Sequence, residues 1–162
     1  KANVHEVAGL LHASDESLIA SMDADLKTVE DLASKHTGPR PVVAFYSQFG
    51  LNGGKGSTFD DMCKYMKVTN AAAELGLGAY DNGTREDLIR MNPDVIIIPS
   101  ASYTSDGYKP ASADQLYSDP ALQGVKAIAN HRVFLVDSAQ IMSYSQFMTR
   151  AMVSMTQYIY SM

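Results

Sequence analysis

With 162 residues, 46% hydrophobic and 19% charged, the chain can bury one core and is too apolar for a disordered tail. Lys and Arg number 13 against 18 Asp and Glu, and the formal net charge of −5 excludes a phosphate-tracking nucleic-acid face. Mean hydropathy is −0.12, and no window approaches the ~18 consecutive apolar residues of a membrane span.

Val4, Val7, Ala8 and Leu11 recur at three- and four-residue steps, predicting a first helix that His12-Ala13-Ser14-Asp15 interrupts. Leu18, Ile19, Met22, Leu26, Val29, Leu32 and Ala33 then share one stripe, the pattern of an amphipathic helix. Ser14 is its expected N-cap, and Asp15 and Glu16 suit the positive end of the helix dipole. Gly38-Pro39-Arg40-Pro41 ends the helix, because proline cannot continue it. About 20 residues run roughly 30 Å, long for a helix inside so small a domain.

Beyond the prolines the pattern becomes strand–helix alternation. Val42-Val43-Ala44-Phe45-Tyr46 is continuously apolar, as in a strand buried on both faces. A Gly-rich loop from Gly50 to Gly56 leads to a helix near Ser57, and residues 77–80 suggest a short edge strand. A helix from Thr84 to Met91, with Thr84 and Asp87 as a capping box, precedes a second strand, Asp94-Val95-Ile96-Ile97-Ile98. Arg132-Val133-Phe134-Leu135-Val136-Asp137 is a third strand. The last helix is expected from about Ser143, with Phe147, Ala151, Met155 and Ile159 on one face. Strands alternating with helices predict an α/β fold: a three-layer α/β/α sandwich on a mainly parallel sheet, preceded by a long connecting helix.

Several residue groups invite a chemical reading. The single cysteine, Cys63, excludes an internal disulfide, and its helical context makes it a buried structural thiol. Gly50-Leu51-Asn52-Gly53-Gly54-Lys55-Gly56-Ser57 sits where a phosphate loop would, but the spacing fails. The first glycine would fall at Phe49, and Lys55 is followed by Gly56. The loop is a flexible connection or the lining of a ligand cleft at the C-terminal strand edge. His5, His12, His36 and His131 form no metal-ligand pattern, and no serine stands in a nucleophile elbow. Asp60 and Asp61 suit the first turn of their helix. Met148, Met152, Met155 and Met162 follow the packing side of the last helix.

The tyrosines carry more. Tyr46 ends the first strand, Tyr103 and Tyr108 lie in the loop after the second, and Met142 and Tyr144 follow the third. In a parallel sheet these post-strand loops leave one edge, so side chains far apart in sequence converge. Such an aromatic wall suits a bulky organic ligand or simply caps the sheet edge.

Thr84-Arg85-Glu86-Asp87-Leu88-Ile89-Arg90-Met91-Asn92-Pro93-Asp94-Val95-Ile96-Ile97-Ile98 resembles the helix-to-strand segment of a class of ABC-importer substrate-binding proteins. These are the periplasmic binding proteins for iron siderophores, haem and cobalamin. Ser118-Asp119-Pro120-Ala121-Leu122-Gln123-Gly124-Val125-Lys126-Ala127-Ile128-Ala129-Asn130-His131-Arg132-Val133 is similar to a second hallmark, and Val68-Thr69-Asn70-Ala71-Ala72-Ala73 to a third. Val68 and Thr69 replace the family's usual glycine pair, and Tyr144 stands near an often-seen tryptophan, in a chain with no Trp.

The resemblance implies two α/β lobes joined by one long helix, with the ligand between them. It covers only the second half of a full member: residues 1–39 as the end of the N-terminal lobe region plus the inter-lobe helix, and 40–162 as the C-terminal lobe. Residue 1 is Lys rather than Met, so the start is expected to come from processing or truncation of a longer product. The resemblance further implies a non-enzymatic, monomeric, extracytoplasmic protein, periplasmic or a cell-surface lipoprotein, without an intrinsic cofactor or a nucleic-acid partner. Its ligand is a metal chelate (ferric siderophore first, haem or cobalamin next), and its partner a membrane permease. By position, Tyr46, Tyr103, Tyr108, Met142, Tyr144 and Arg150 are the ligand-binding candidates, and Asp60 and Asp61 the permease-docking acids. Two readings compete: a small nucleotide-binding or enzymatic α/β domain using Gly50–Gly56, and a fused ligand-sensing module.

Overall fold

The computed structural model describes residues 1–161, with Tyr103 and Thr104 described by backbone alone. Two helices open the chain, α1 (Ala2–Leu10) and α2 (Glu16–Ser34). The predicted stripe of α2 is its inner face: Val29 and Ala33 are buried, and Leu18, Ile19, Met22, Leu26 and Leu32 are partly covered. Its 19 residues span about 28 Å. The N-cap is Asp15, not Ser14. It makes no capping bond, because its carboxylate faces the His5 Nδ1 at 2.8 Å.

Five strands make the main sheet: β1 (Val42–Ser47), β2 (Gly50–Asn52), β3 (Thr69–Asn70), β4 (Val95–Pro99) and, after the hairpin below, β7 (Val133–Val136). β1, β4 and β7 run parallel, with Ala44 opposite Ile96 and Ile96 opposite Val133. β3 pairs parallel with the start of β1, and β2 folds back antiparallel on its end. A separate hairpin, β5 (Ala101–Thr104) and β6 (Gly107–Pro110), rises after β4. The remaining helices are α3 (Thr58–Tyr65), α4 (Ala71–Glu74), α5 (Arg85–Met91), α6 (Asp114–Ser118), α7 (Lys126–Ala129), α8 (Ser138–Ile141) and α9 (Met148–Tyr160).

Strand alternation builds two cores. Val43, Phe45, Val95, Ile97 and Val136 pack with Val29, Phe59, Met62, Cys63, Ala151, Met155 and Ile159 on the side of α2, α3 and α9. Ala44, Ile96, Ile98 and Val133 pack with Ala71, Leu88, Leu122 and Ile128 on the other. Both faces of β1 and β4 are therefore dry over most of their length, which explains their continuous apolar runs, while the edge strand β7 leaves Leu135 exposed. The methionines of α9 are core: Met155 is fully buried, Met152 nearly so and Met148 rests on the same cluster, while Met162 lies outside the described residues.

The predicted capping box is formed, with the Thr84 N–H donating to Asp87 Oδ2 at 2.9 Å and the Asp87 N–H to Thr84 Oγ1 at 3.2 Å. Two elements differ from expectation. Residues 77–80 form no strand but a turn closed by the Gly78 N–H on Asp81 Oδ2 at 2.7 Å, tied to its neighbours by the isolated bridge Lys55–Gly78 and the Leu77 N–H on Ala72 O. The last helix starts at Met148 rather than near Ser143, leaving Phe147 at the N-cap and off the core face. Serines explain the break. Ser143 Oγ donates to Gln140 O, and Ser145 Oγ accepts the Phe147 N–H, so side chains hold backbone groups that a helix would use.

Candidate functional site

The parallel strands release three segments at one edge: the turn Ser47–Gly50 after β1, the β5–β6 hairpin after β4, and residues 137–144 after β7. With the loops at 52–58 and 79–82 they enclose an open cleft of about 1060 Å³. Its floor is apolar. Phe45 and Phe59 stack there with ring centroids 5.1 Å apart, beside Pro99 and Ile141. Its rim is aromatic and uncovered: Phe49 is 67% exposed, Tyr80 98%, Tyr108 74%, Met142 66% and Tyr144 92%. Among the described residues, these five account for most of the large apolar side chains of residues 40–161 that stand more than half exposed.

The polar lining is nearly all neutral. Ser47 Oγ accepts from the Phe49 N–H at 3.2 Å and from Asn52 Nδ2 at 2.6 Å, leaving the Asn52 Oδ1 buried without a partner. Ser138 ties α8 to the hairpin base. Its Oγ accepts the Ala101 N–H at 2.8 Å and donates to Ala101 O at 3.1 Å, while its own N–H donates to Ser100 Oγ at 3.1 Å. Asp137 caps α8 through Oδ1 on the Ala139 N–H at 2.8 Å.

The Gly-rich loop is built for close packing. Gly50 has a φ of +95°, and a side chain there or at Gly54 would strike the backbone of Gly83 or Leu77. Behind the loop, the buried Asp60 accepts from the Gly56 N–H and from Asn70 Nδ2, both at 3.1 Å, and pairs with Lys64 at 3.2 Å. Burial pushes the Asp60 carboxyl up, but the bonds from Gly56, Asn70 and Lys64 outweigh it and hold it below the usual carboxylate range. Asn70 also donates to Gly53 O at 2.8 Å, so these two side chains brace the cleft edge from beneath. A phosphate is unwelcome here, since a carboxylate already holds the Gly56 N–H and two acids occupy the first turn of α3.

Of the residues read as ligand-binding, Tyr108, Met142 and Tyr144 line the cleft together. Tyr46 does not. Strand parity turns it to the opposite core, where burial raises its hydroxyl pKa against the lowering pull of Arg85. The side chain of Tyr103 lies outside the described residues. Arg150 is exposed on α9, its guanidinium 5.1 Å from the Phe147 ring centroid, and is not part of the lining. Asp61 is exposed and paired with Lys64 at 2.8 Å, whereas Asp60 is committed to the loop. The histidines bind locally: His36 Nε2 meets Pro39 O at 2.9 Å, and His131 lies on the Tyr117 ring. Among the described residues no group of three or more His, Cys, Asp or Glu could hold a metal ion. Burial pushes the Cys63 thiol far up, fitting an inert core group.

Phe49, Tyr80, Asn52, Asp137 and Ser138 were not singled out from sequence. Phe49 was within reach of the same reasoning, since it follows the first strand directly. Tyr80 was not: its loop follows a helix and reaches the cleft through the bridges Lys55–Gly78 and Leu51–Gly83.

A family model for periplasmic binding proteins matches residues 1–140. No curated protein matches the chain. Among solved structures, the apo form of the periplasmic haem-binding protein RhuT from Roseiflexus sp. RS-1 superposes with a TM-score of 0.79 at 24% identity, over 98% of this chain and 60% of that one. The haem-binding protein BhuT, in complex with two haems, gives 0.73 at 20% identity over 99% of this chain and 61% of that one. CeuE of Helicobacter pylori, in a nickel–histidine complex, gives 0.77 at 16% identity over 99% and 51%. At these identities the likeness is one of fold. The chain spans between 51% and 61% of the length of these three structures.

Proposed function

The chain belongs to the periplasmic binding protein family, and on that premise we propose that it captures a metal chelate outside the cytoplasm and presents it to an ABC importer. In this reading residues 40–162 are the C-terminal lobe, residues 1–39 the end of the N-terminal lobe region with the connecting helix, and a second lobe closes the cleft from the far side. The protein is a monomeric binding protein, not an enzyme, held in a periplasm or at a cell surface by a lipid anchor.

The observation that carries the reading is the ring of exposed Phe49, Tyr80, Tyr108, Met142 and Tyr144 around a cleft of about 1060 Å³. A contiguous apolar patch of this kind marks a binding surface, and the volume suits a large organic ligand. The aromatic rings pack on the organic shell of the chelate, and neutral hydroxyls and amides orient it. The metal arrives already chelated, so this lobe contributes packing and hydrogen bonds rather than metal ligands. A ferric siderophore leads among the candidate ligands, followed by haem and cobalamin. Of the two acids on α3, Asp61 is the one presented to solvent, and we assign permease docking to it.

Native mass spectrometry of the complete gene product, purified from its own host, tests the reading. The expected result is a bound mass that is released on denaturation and carries a metal. A protein isolated empty that binds no ferric siderophore, haem or cobalamin in titration would refute it.

A further inference from the structure

We propose that Asp137 makes this wall of the cleft charge-selective, accepting a chelate that turns a neutral or cationic surface toward it and disfavouring a polyanionic one. The inference deepens the reading above and rests on it. Among the described residues that line the cleft, Asp137 is the only acidic or basic side chain. All others are aromatic, aliphatic, hydroxyl or amide groups. Cations occur on neighbouring segments but outside the lining: Lys109 is paired with Asp106 at 2.9 Å, and Arg150 lies over the Phe147 ring.

The Asp137 carboxylate is fixed at the C-terminal end of β7. Its Oδ1 accepts the Ala139 N–H at 2.8 Å, and Oδ2 stands 3.4 Å from the Gln140 amide nitrogen. Both partners are neutral, so neither cancels its charge. When a ligand fills the cleft and displaces water, the local dielectric falls and repulsion between this carboxylate and an anionic chelate grows. A neutral chelate escapes that term and can use the hydroxyls of Ser47, Ser100 and Ser138.

The test uses the complete gene product and two iron chelates of similar size, a neutral ferric trihydroxamate and a trianionic ferric tris-catecholate. The wild type should bind the trihydroxamate more tightly. Asp137→Asn retains an acceptor for the Ala139 N–H, so the turn is preserved while the charge is lost. It should raise the tris-catecholate affinity relative to the trihydroxamate by roughly tenfold, and the effect should shrink at high salt. Asp137→Ser, which also caps a helix, should shift the ratio in the same direction. The proposal is overturned if the trihydroxamate binds and both variants leave the ratio within about twofold of wild type. It is overturned equally if the wild type prefers the tris-catecholate. If the wild type binds neither chelate but takes haem or cobalamin, the charge inference falls and the binding reading stands; if it binds none of them, both fall.

Discussion

Asp60 offers the sharpest test of how the cleft edge is held. Its carboxylate takes the Gly56 N–H and the Asn70 amide at 3.1 Å each, and Asn70 carries the restraint on to Gly53. The Lys64 arm is exposed and adds little. Asp60→Asn keeps one acceptor but turns an NH2 toward the second donor, so one buried bond is lost and a donor is left facing a donor. At the usual worth of a hydrogen bond to a charged group, the loss is about 2 kcal/mol. The hydrogen bonds lower the Asp60 pKa below its ordinary 3.8 despite burial. A depressed carboxyl stabilises the fold fully above the unfolded pKa and loses that contribution as pH falls through the folded one. The gap between wild type and Asp60→Asn should therefore be constant from about pH 5 to 8 and narrow below about pH 4. Urea denaturation followed by circular dichroism at neutral and acidic pH measures both. Equal stabilities at neutral pH, or a gap that does not narrow on acidification, would show that the carboxylate does not brace the loop.

Arg132 holds the end of α9. Its Nη2 donates to Tyr158 O and Ile159 O, both at 2.9 Å, so Arg132→Met should cost about 2 kcal/mol. Amide exchange should then accelerate in the last turn of α9, and an unchanged exchange pattern would deny the capping role. Tyr144 and Tyr80 stand almost wholly in solvent, so replacing either by Ala should leave the unfolding midpoint in place and weaken chelate binding roughly three- to tenfold. Tyr46→Ala should do the reverse, lowering the midpoint with little effect on affinity, because its ring packs in the opposite core. Calorimetric titration and thermal melts on the same three variants decide the matter, and a loss of affinity in Tyr46→Ala alone would invert it.

The legible parts of the fold are those where burial dictates residue type without help from distant segments. β1 and β4 lie between two dry faces and read as unbroken apolar runs, and β7, at the sheet edge with Leu135 exposed, is still apolar throughout. The Thr84 capping box and the α2 stripe are local patterns of fixed spacing. The illegible parts depend on partners remote in sequence. β2 is three residues long and starts at a glycine with φ +95°, so it reads as loop until β1 offers it an edge. The β5–β6 hairpin forms a separate two-stranded sheet, and β6 carries no buried residue to impose alternation. The last helix reads as starting near Ser143, yet the hydroxyls of Ser143 and Ser145 capture backbone groups that a longer α9 would need.

The cleft shows why a topological rule can bring lining residues together and still misplace one of its candidates. Parallel strands bring their exits to one edge, which is enough to unite Tyr108, Met142 and Tyr144. At the exit itself the two-residue period of the strand takes over. Phe45 and Ser47 face the cleft, and Tyr46 between them faces away. A shift of one position thus decides whether an aromatic ring lines the cleft or enters the core, and sequence proximity to the strand end cannot resolve it. The next aromatic, Phe49 in the turn, has left the strand period and stands on the rim. Residues beyond the last ladder pair of these strands, such as Phe49, Met142 and Tyr144, are free of the parity constraint and stand exposed on the cleft rim.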